Sequence, residues 1–178
     1  MRAAVPYSAE LTRSLQADNT YIYFAIALTL LLGIVLYLDT ALQLHDKGIT
    51  PSLQVPQHIE VLGDASLIYS IFRNLIDNAI SYATRASRLA IVCKEAESEG
   101  RHFYEFLVSD NGLGVEPQHL DHLFERFYRI DKGRSRKLGG TGLGLAIVKN
   151  AVAAHGGTAT AQLTPGGGLT IRFTLARF

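Results

Sequence analysis

Two asparagines lie one turn apart on the strongest predicted helix of the chain. Apolar residues recur at helical spacing from Asp64 to Ala83, and a rotation of 100° per residue puts Asn74 and Asn78 at the border of the apolar stripe. Asparagine is a poor helix-interior residue because its amide competes with the backbone for hydrogen bonds. The pair predicts either structural amides bonded to a neighbouring loop or a ligand-facing edge. In the second case an amide oxygen suits a hard cation such as Mg²⁺.

A carboxylate and two glycines follow a predicted strand at Phe103–Ser109. Asp110 stands directly after this strand, and Gly112 and Gly114 leave room for a ligand to approach the backbone closely. A carboxylate there can accept a hydrogen bond from an exocyclic amine such as that of adenine. The alternative is a plain Asx turn, which uses the same residue types.

A glycine-rich stretch, Gly139–Leu145, opens a second predicted helix that runs from Gly142 to His155. Glycines at a helix N-terminus form an anion site from unpaired N–H groups and the helix dipole. A P-loop is excluded because Leu145, not lysine, follows the last glycine. A dinucleotide fingerprint is excluded because Ile147 occupies the place of its third glycine and no strand precedes the stretch.

Basic residues are concentrated between these two glycine motifs. They are accompanied by one acidic residue, Asp131, in a loop that is either simply solvated or, beside an anion site, a lid over phosphates. The basic residues are Arg126, Arg129, Lys132, Arg134, Arg136 and Lys137.

Composition sets few limits beyond these motifs. The chain has 178 residues, 48% of them hydrophobic, which is enough for one ordinary domain and an appendage. A net charge of +1 gives no global field toward nucleic acid, and we expect no nucleic-acid partner. Cys93, alone in an apolar run, is predicted to be a buried hydrophobic residue and cannot form a disulfide within one chain.

The N-terminal part contains an uncharged apolar run at residues 21–38, after a weakly patterned segment at residues 1–20. The run is long enough to cross a bilayer as a helix and has tyrosines at both ends. A buried core helix and an uncleaved signal segment are the alternatives. We interpret it as a transmembrane helix, followed by a short linker helix at residues 39–48 that Gly48 ends.

Residues 49–178 are predicted to form a single α+β domain. Strands and helices are mixed without strict alternation, which favours a two-layer sandwich with helices on one face of a mixed, mostly antiparallel sheet. A short helical piece is expected from Pro117. The predicted strands are Ile49–Val55, Ile59–Leu62, Arg88–Glu95, Phe103–Ser109, Thr158–Leu163 and Leu169–Leu175.

In this order, the motifs resemble those of the Bergerat-type ATP-binding catalytic domain of sensor histidine kinases, a branch of the GHKL superfamily. The similarity extends from Gly48 to the C-terminus. Each motif is weak by itself, whereas all of them together, with fitting spacing, are specific. The matching stretches are Asn74–Ala79, Asp110–Gly114, Phe124–Arg129 and Gly140–Leu145.

The resemblance implies ATP and Mg²⁺ as ligands and a role for each matching residue. Asn78 would bind Mg²⁺ at the phosphates with Asn74 nearby, Tyr82 would flank the nucleotide, and Asp110 would bind the adenine amine. The other implied nucleotide-binding residues are Gly112, Gly114, Phe127, Arg129, Lys132, Gly140, Thr141, Gly142, Leu143 and Gly144.

The chain departs from the family pattern at two positions of the predicted helix that contains Asn74 and Asn78. Many family members have a lysine where Ser81 stands, and its loss weakens ATP binding unless the basic loop compensates. The related ATPases place a glutamate base where Asn74 stands. Without a base to activate water, hydrolysis should be slow, which argues for a kinase rather than an ATPase.

The acceptor histidine of a kinase has no counterpart in this sequence, and no catalytic residue is assigned. His45 resembles such a site superficially, but Pro51 is one place too far and Gly48 breaks the required helix. We interpret the other histidines as surface or packing residues: His58, His102, His119, His122 and His155.

Together these features predict the catalytic half of a membrane-anchored histidine kinase with its ATP-binding domain in the cytoplasm. Its partners would be a phosphoacceptor and dimerisation domain, in cis or in trans, and a response regulator; a homodimer is compatible with this. A regulatory module that binds ATP or ADP without catalysis, and a slow ATPase, are the alternatives.

Overall fold

The computed structural model describes residues 40–57, 59, 61, 63–82, 87–98, 100–130 and 141–177. The chain divides into two units, Met1–Leu42 and Gln43–Phe178, and the fold below is that of the second. The predicted segments at residues 1–20 and 21–38 lie outside the described residues, as do His58, Lys132 and Gly140. Within the described ranges, no helix combines the length and the apolar character needed to cross a membrane.

The described residues form three helices, a 3₁₀ helix and five strands. Helix α1 at residues 40–46 corresponds to the predicted linker helix, and Gly48 follows it with φ +67°. The remaining elements are β1 (Thr50–Gln54), α2 (Ala65–Tyr82), β2 (Arg88–Ser98), β3 (Arg101–Asp110), the 3₁₀ helix (Pro117–His122), α3 (Gly144–Ala154), β4 (Ala159–Leu163) and β5 (Leu169–Ala176).

The strands form one mixed sheet in the order β1-β2-β3-β5-β4. β1 and β2 are parallel, and the other three pairs are antiparallel, as the predicted fold class requires. Alternate side chains of β3 are buried because successive residues of a strand point to opposite faces. Phe72 of α2 packs edge-on against Phe106 and Phe173 of the sheet, and Val152 of α3 belongs to the same core. The two long helices therefore cover one face.

Two elements differ from their predictions, and a third, the helical piece at Pro117, is confirmed and defined more closely. Of the strand predicted at Ile59–Leu62, Val61 forms an isolated bridge with Arg177. Helix α3 starts at Gly144 rather than Gly142, because Gly142 has φ +71°, which a right-handed helix does not accommodate. The helical piece at Pro117 is a 3₁₀ helix, with three residues per turn.

Asp64 caps helix α2, as its residue type predicts. Its Oδ1 accepts hydrogen bonds from the backbone N–H groups of Ser66 (2.7 Å) and Leu67 (3.1 Å). These bonds, that of Leu67 first, hold the pKa of Asp64 below its usual value. The cap fixes the residue at which α2 begins. It therefore helps to determine the direction in which Asn74 and Asn78 project from the helix.

His155 ties the end of α3 to the start of α2. Its Nδ1 donates to the carbonyl of Ala151 (2.6 Å), and its Nε2 accepts the backbone N–H of Asp64 (3.0 Å). Only the neutral imidazole can donate at one nitrogen and accept at the other. A β-carbon on Gly63 would lie 2.1 Å from the ring, so glycine is required there. His155 is a packing histidine, as predicted.

Cys93 is buried at 6% exposure within the core. Burial, followed by the negative charge of Glu95, raises the pKa of its thiol to about 11. The thiol is therefore a small core side chain, which confirms the prediction, and it carries little thiolate at neutral pH.

Candidate functional site

A cleft between α2 and the sheet contains two of the polar residues that the sequence singled out. Asn78, half-buried on α2, and Asp110, at the end of β3, both line it. The remaining lining residues are apolar: Leu75, Ala79, Leu89, Val108, Leu169 and Ile171. Apolar walls with a few convergent polar groups are the usual lining of a small-molecule site.

The carboxylate of Asp110 is held at the mouth of a turn. Its Oδ1 accepts the backbone N–H of Gly112 at 2.9 Å. Burial raises the pKa of Asp110 above its usual value, although hydrogen bonds from the backbone of Gly112 and Leu169 partly oppose the shift. A carboxylate whose charge is incompletely compensated by the protein is suited to accept a further hydrogen bond from a ligand.

The neighbouring Asn111 has a structural role. Its Oδ1 accepts the backbone N–H groups of Ser87 (3.0 Å) and Arg88 (2.9 Å), and its Nδ2 donates to the Ser87 hydroxyl (3.1 Å). This amide joins the start of β2 to the end of β3. The turn that presents Asp110 is therefore fixed from both sides.

The glycine hairpin between β4 and β5 packs directly on this turn. A β-carbon on Gly168 would lie 2.0 Å from the carbonyl oxygen of Asp110, and one on Gly114 would lie 2.7 Å from the carbonyl oxygen of Gly168. Gly114 and Gly168 both have positive φ, +71° and +104°. Gly168 is a residue of the site that its sequence context did not predict. Its only signal was the run of glycines before the last strand.

The glycine stretch that opens α3 contacts helix α2 at Asn74. The Nδ2 of Asn74 donates to the Ser70 carbonyl (2.7 Å) and lies 3.2 Å from the Ser70 hydroxyl oxygen. With its nitrogen engaged there, the amide presents Oδ1 to α3, 3.2 Å from where a β-carbon on Gly144 would lie. The N-terminus of α3 is thus one helical turn from Asn78 along α2, and Asp77 between them is paired with Arg73 (2.9 Å).

The stretch Phe124–Arg129 contacts the N-terminal end of α3 through its backbone. The N–H of Phe127 donates to the carbonyl of Gly142 (2.8 Å), and both residues have positive φ, +66° and +71°. A β-carbon on Gly142 would lie 2.9 Å from the carbonyl carbon of Phe127. The Phe127 side chain is 69% exposed, so the residue contributes its backbone conformation here rather than ring contacts.

Arg129 is half-buried and lies just before the part of the chain that the structure does not describe. Its Nε and Nη2 atoms are buried and have no hydrogen-bond partner in the part of the chain that the structure describes. Buried donors of this kind are normally paired, and an anion is the natural partner of a guanidinium. Arg129 follows Tyr128, whose carbonyl oxygen lies 3.1 Å from the β-carbon position at Gly142.

The other predicted ligand residues occupy the margins of this arrangement. Tyr82 is 42% exposed at the end of α2. The hydroxyl of Thr141 accepts the N–H of Leu143 (3.3 Å), and Leu143 is the N-cap of α3. Contacts therefore connect three of the predicted motifs, Phe127 to Gly142 and Gly144 to Asn74. The fourth, at Asp110, shares only the lining of the cleft with Asn78.

Comparison with known protein sequences agrees with this arrangement. The chain is 44% identical over 121 residues to the sensor-like histidine kinase SenX3 of Mycobacterium tuberculosis (strain ATCC 25618 / H37Rv), covering 68% of this chain and 28% of SenX3. It is 42% identical over 112 residues to the sensor histidine kinase WalK of Bacillus subtilis (strain 168), covering 63% of this chain and 18% of WalK. The chain thus spans only about a quarter or less of these relatives.

Solved structures show the same fold. The mycobacterial sensor histidine kinase MprB superposes with a TM-score of 0.61 at 26% identity, covering 77% of this chain and 87% of that structure. Full-length ShkA in complex with AMPPNP superposes with a TM-score of 0.60 at 28% identity, covering 76% of this chain and 27% of ShkA. Residues 63–177 match the family described as histidine kinase-, DNA gyrase B-, and HSP90-like ATPase, and the chain belongs to this family.

Proposed function

We propose that this chain supplies the ATP-binding catalytic domain of a sensor histidine kinase. The observation that carries the proposal is the cleft that Asn78 and Asp110 both line, together with the contacts that join Asn74, Gly144, Gly142 and Phe127 beside it. The reaction would be transfer of the γ-phosphate of Mg²⁺-ATP to a histidine of a phosphoacceptor domain. The phosphate would then pass to a response regulator.

Asp110 is the proposed adenine-binding residue. The apolar walls of the cleft suit a flat aromatic base, and the Asp110 carboxylate can accept its exocyclic amine. Gly112 and Gly114 form the adjoining turn, in which the Gly112 N–H holds the Asp110 carboxylate and Gly114 allows the hairpin to pack closely at Gly168. The proposed adenine-binding role of Asp110 rests on its carboxylate and on its position among the apolar walls of the cleft.

Asn78 is the proposed Mg²⁺ ligand. Asn78 is half-buried and lines the cleft, and an amide oxygen together with phosphate oxygens and water is a donor set that Mg²⁺ accepts. Bound there, Mg²⁺ would neutralise the charge that develops on the phosphates. Asn74 lies one turn away, where its oxygen is directed toward the N-terminus of α3.

Arg129 and the start of α3 are the proposed phosphate-binding groups. The N-terminus of a helix supplies unpaired N–H donors and a positive dipole end, and Gly142 and Gly144 allow Phe127 and Asn74 to approach it closely. The unsatisfied donors of Arg129 would be paired by phosphate oxygens. Lys132, Gly140 and Thr141 complete the proposed set.

Phosphotransfer to a histidine hairpin domain from a related kinase tests the proposal directly. We expect residues 39–178 to transfer label from radiolabelled Mg²⁺-ATP, giving acid-labile phosphate on the hairpin.

Asn78→Asp should weaken Mg²⁺-ATP binding by about 100-fold, because it sets a negative charge against the polyphosphate. Asn150→Asp, the same change at an exposed position of α3, is the matched control. Equal nucleotide affinity of both variants would remove the assignment of Asn78.

A regulatory module that binds nucleotide without catalysis is the second candidate. It is favoured by His45, whose side chain is 87% exposed and which lies at the end of α1, shortly before Gly48 with its φ of +67°. Binding of ATP without label transfer would support this candidate. A slow ATPase is less consistent with the site, since the neutral amide of Asn74 cannot take a proton from water.

A membrane anchor at residues 21–38, with the nucleotide-binding domain in the cytoplasm, is part of the proposal. It rests on the uncharged apolar run with its terminal tyrosines. We expect the full chain in the membrane fraction and a variant without residues 1–38 in the soluble fraction. If the shortened variant still sediments with membranes, the anchor lies elsewhere or does not exist.

A further inference from the structure

Two histidines enclose the side chain of Tyr128. The Nδ1 of His119 lies 2.7 Å from the Tyr128 hydroxyl oxygen, and the His122 ring lies 5.4 Å from the tyrosine ring at 30° to it. Both histidines belong to the 3₁₀ helix, where residues three apart share one side. We call His119, His122 and Tyr128 the tyrosine clamp.

The backbone on either side of Tyr128 is also fixed. Its N–H donates to the carbonyl of Glu125 (3.3 Å), and the preceding Phe127 bonds to Gly142 (2.8 Å). Glu125 is in turn paired with the His122 ring, 2.7 Å from its Nδ1. The clamp therefore links the 3₁₀ helix to the residues that lead into α3.

The residue that follows the clamp is Arg129, whose buried donors lack partners among the described residues. An unsatisfied buried guanidinium is costly, and it keeps its position only if the neighbouring structure holds it there. The structure provides that support at Tyr128, through a hydrogen bond to a side chain, a ring contact and backbone hydrogen bonds.

We propose that His119 and His122 are positioning residues for nucleotide binding, which fix Tyr128 and thereby hold the Arg129 guanidinium in place for the phosphates. The proposal rests on the proposed function of the site. It gives the two histidines a role through Arg129 and no direct contact with the nucleotide. A metal site is a poorer explanation, because the described residues contain no suitable group of three ligands.

Calorimetry with Mg²⁺-ATP on the full chain tests the clamp. Tyr128→Phe removes the hydroxyl and keeps the ring, and His119→Phe removes the same hydrogen bond from the other side. We expect each variant to bind Mg²⁺-ATP about fivefold more weakly, the equivalent of one hydrogen bond, and the double variant to be no weaker than either. His119→Gln can still form a hydrogen bond with the Tyr128 hydroxyl. We therefore expect this variant to bind Mg²⁺-ATP with wild-type affinity, unlike His119→Phe.

Two further measurements separate positioning from a general structural role. Adenosine has no phosphates, so its binding, followed by NMR chemical shifts, should be unchanged in Tyr128→Phe. In an Arg129→Met background, Tyr128→Phe should cause no additional loss of Mg²⁺-ATP affinity, because the group on which it acts is gone.

The outcomes distinguish the clamp from the function on which it rests. If the wild-type chain binds neither Mg²⁺-ATP nor adenosine, the proposed function fails. If the wild-type chain binds both and Tyr128→Phe loses neither, the clamp proposal alone fails. A parallel loss of both ligands with a lower melting temperature, or an equal loss in the Arg129→Met background, would also overturn the clamp.

Discussion

Asp110→Asn is expected to weaken the binding of adenine nucleotides by roughly 30-fold while raising the melting temperature of the nucleotide-free domain. A hydrogen bond to a charged acceptor contributes about 2 kcal/mol, which corresponds to that factor. An asparagine has one oxygen to share between the Gly112 N–H and the ligand amine. If its oxygen stays with Gly112, its NH₂ group faces the amine, and two donors oppose each other.

Asp110→Asn should stabilise the nucleotide-free domain because it removes the partly buried negative charge of the Asp110 carboxylate. Burial raises the pKa of Asp110, so the folded state keeps its proton to a higher pH than the unfolded chain. The free energy of unfolding therefore falls as pH rises through the interval between the ordinary and the raised pKa, and the full penalty is present above it. Because the group is only partly buried, we expect the gain in stability from Asp110→Asn at neutral pH to be small.

Calorimetry and thermal unfolding measured at neutral and acidic pH check both parts of this prediction. The stability gain should vanish below the ordinary carboxyl pKa, where wild-type Asp110 is also neutral. Asp46→Asn makes the same change at a side chain that is 69% exposed and should alter neither nucleotide affinity nor stability. Wild-type affinity in Asp110→Asn would show that the carboxylate does not bind the base.

Features with local causes were accessible from the sequence. Helix α2 was predicted almost to its ends because its apolar residues repeat at helical spacing and Asp64 caps it. The hairpin strands, the core position of Cys93 and the end of α1 at Gly48 likewise depend on neighbouring residues. The same holds for the border position of Asn74 and Asn78, which follows from helix geometry alone.

Features that depend on distant pairing were not accessible. The contact of Gly168 with Asp110 exists because β5 pairs with β3 in the register that places Thr170 opposite Ser109. No local pattern encodes that register. The positive φ of Phe127 could not be predicted either, because bulky residues disfavour it. It occurs here together with a hydrogen bond to the distant Gly142.

Gly168→Ala is expected to have the largest effect of any single methyl group added to this site. The new β-carbon would lie 2.0 Å from the carbonyl oxygen of Asp110, and the residue has φ +104°, where L side chains are strained. Backbone atoms cannot move aside as a flexible side chain can, so the hairpin and the Asp110 turn must separate. We expect a loss of about 3 to 5 kcal/mol in the free energy of unfolding, or about 10 °C, together with loss of nucleotide binding.

Gly166→Ala provides a matched control in the same hairpin. Gly166 also has positive φ, +86°, but a β-carbon there would meet nothing within 4 Å. It should therefore incur only the cost of conformational strain, about 1 kcal/mol, and keep its nucleotide affinity. Thermal unfolding and calorimetry on the two variants separate strain from contact. Equal effects would mean that backbone conformation alone matters in this hairpin, whereas a selective effect of Gly168→Ala would make the contact between Gly168 and Asp110 the structural basis of the base-binding end of the cleft.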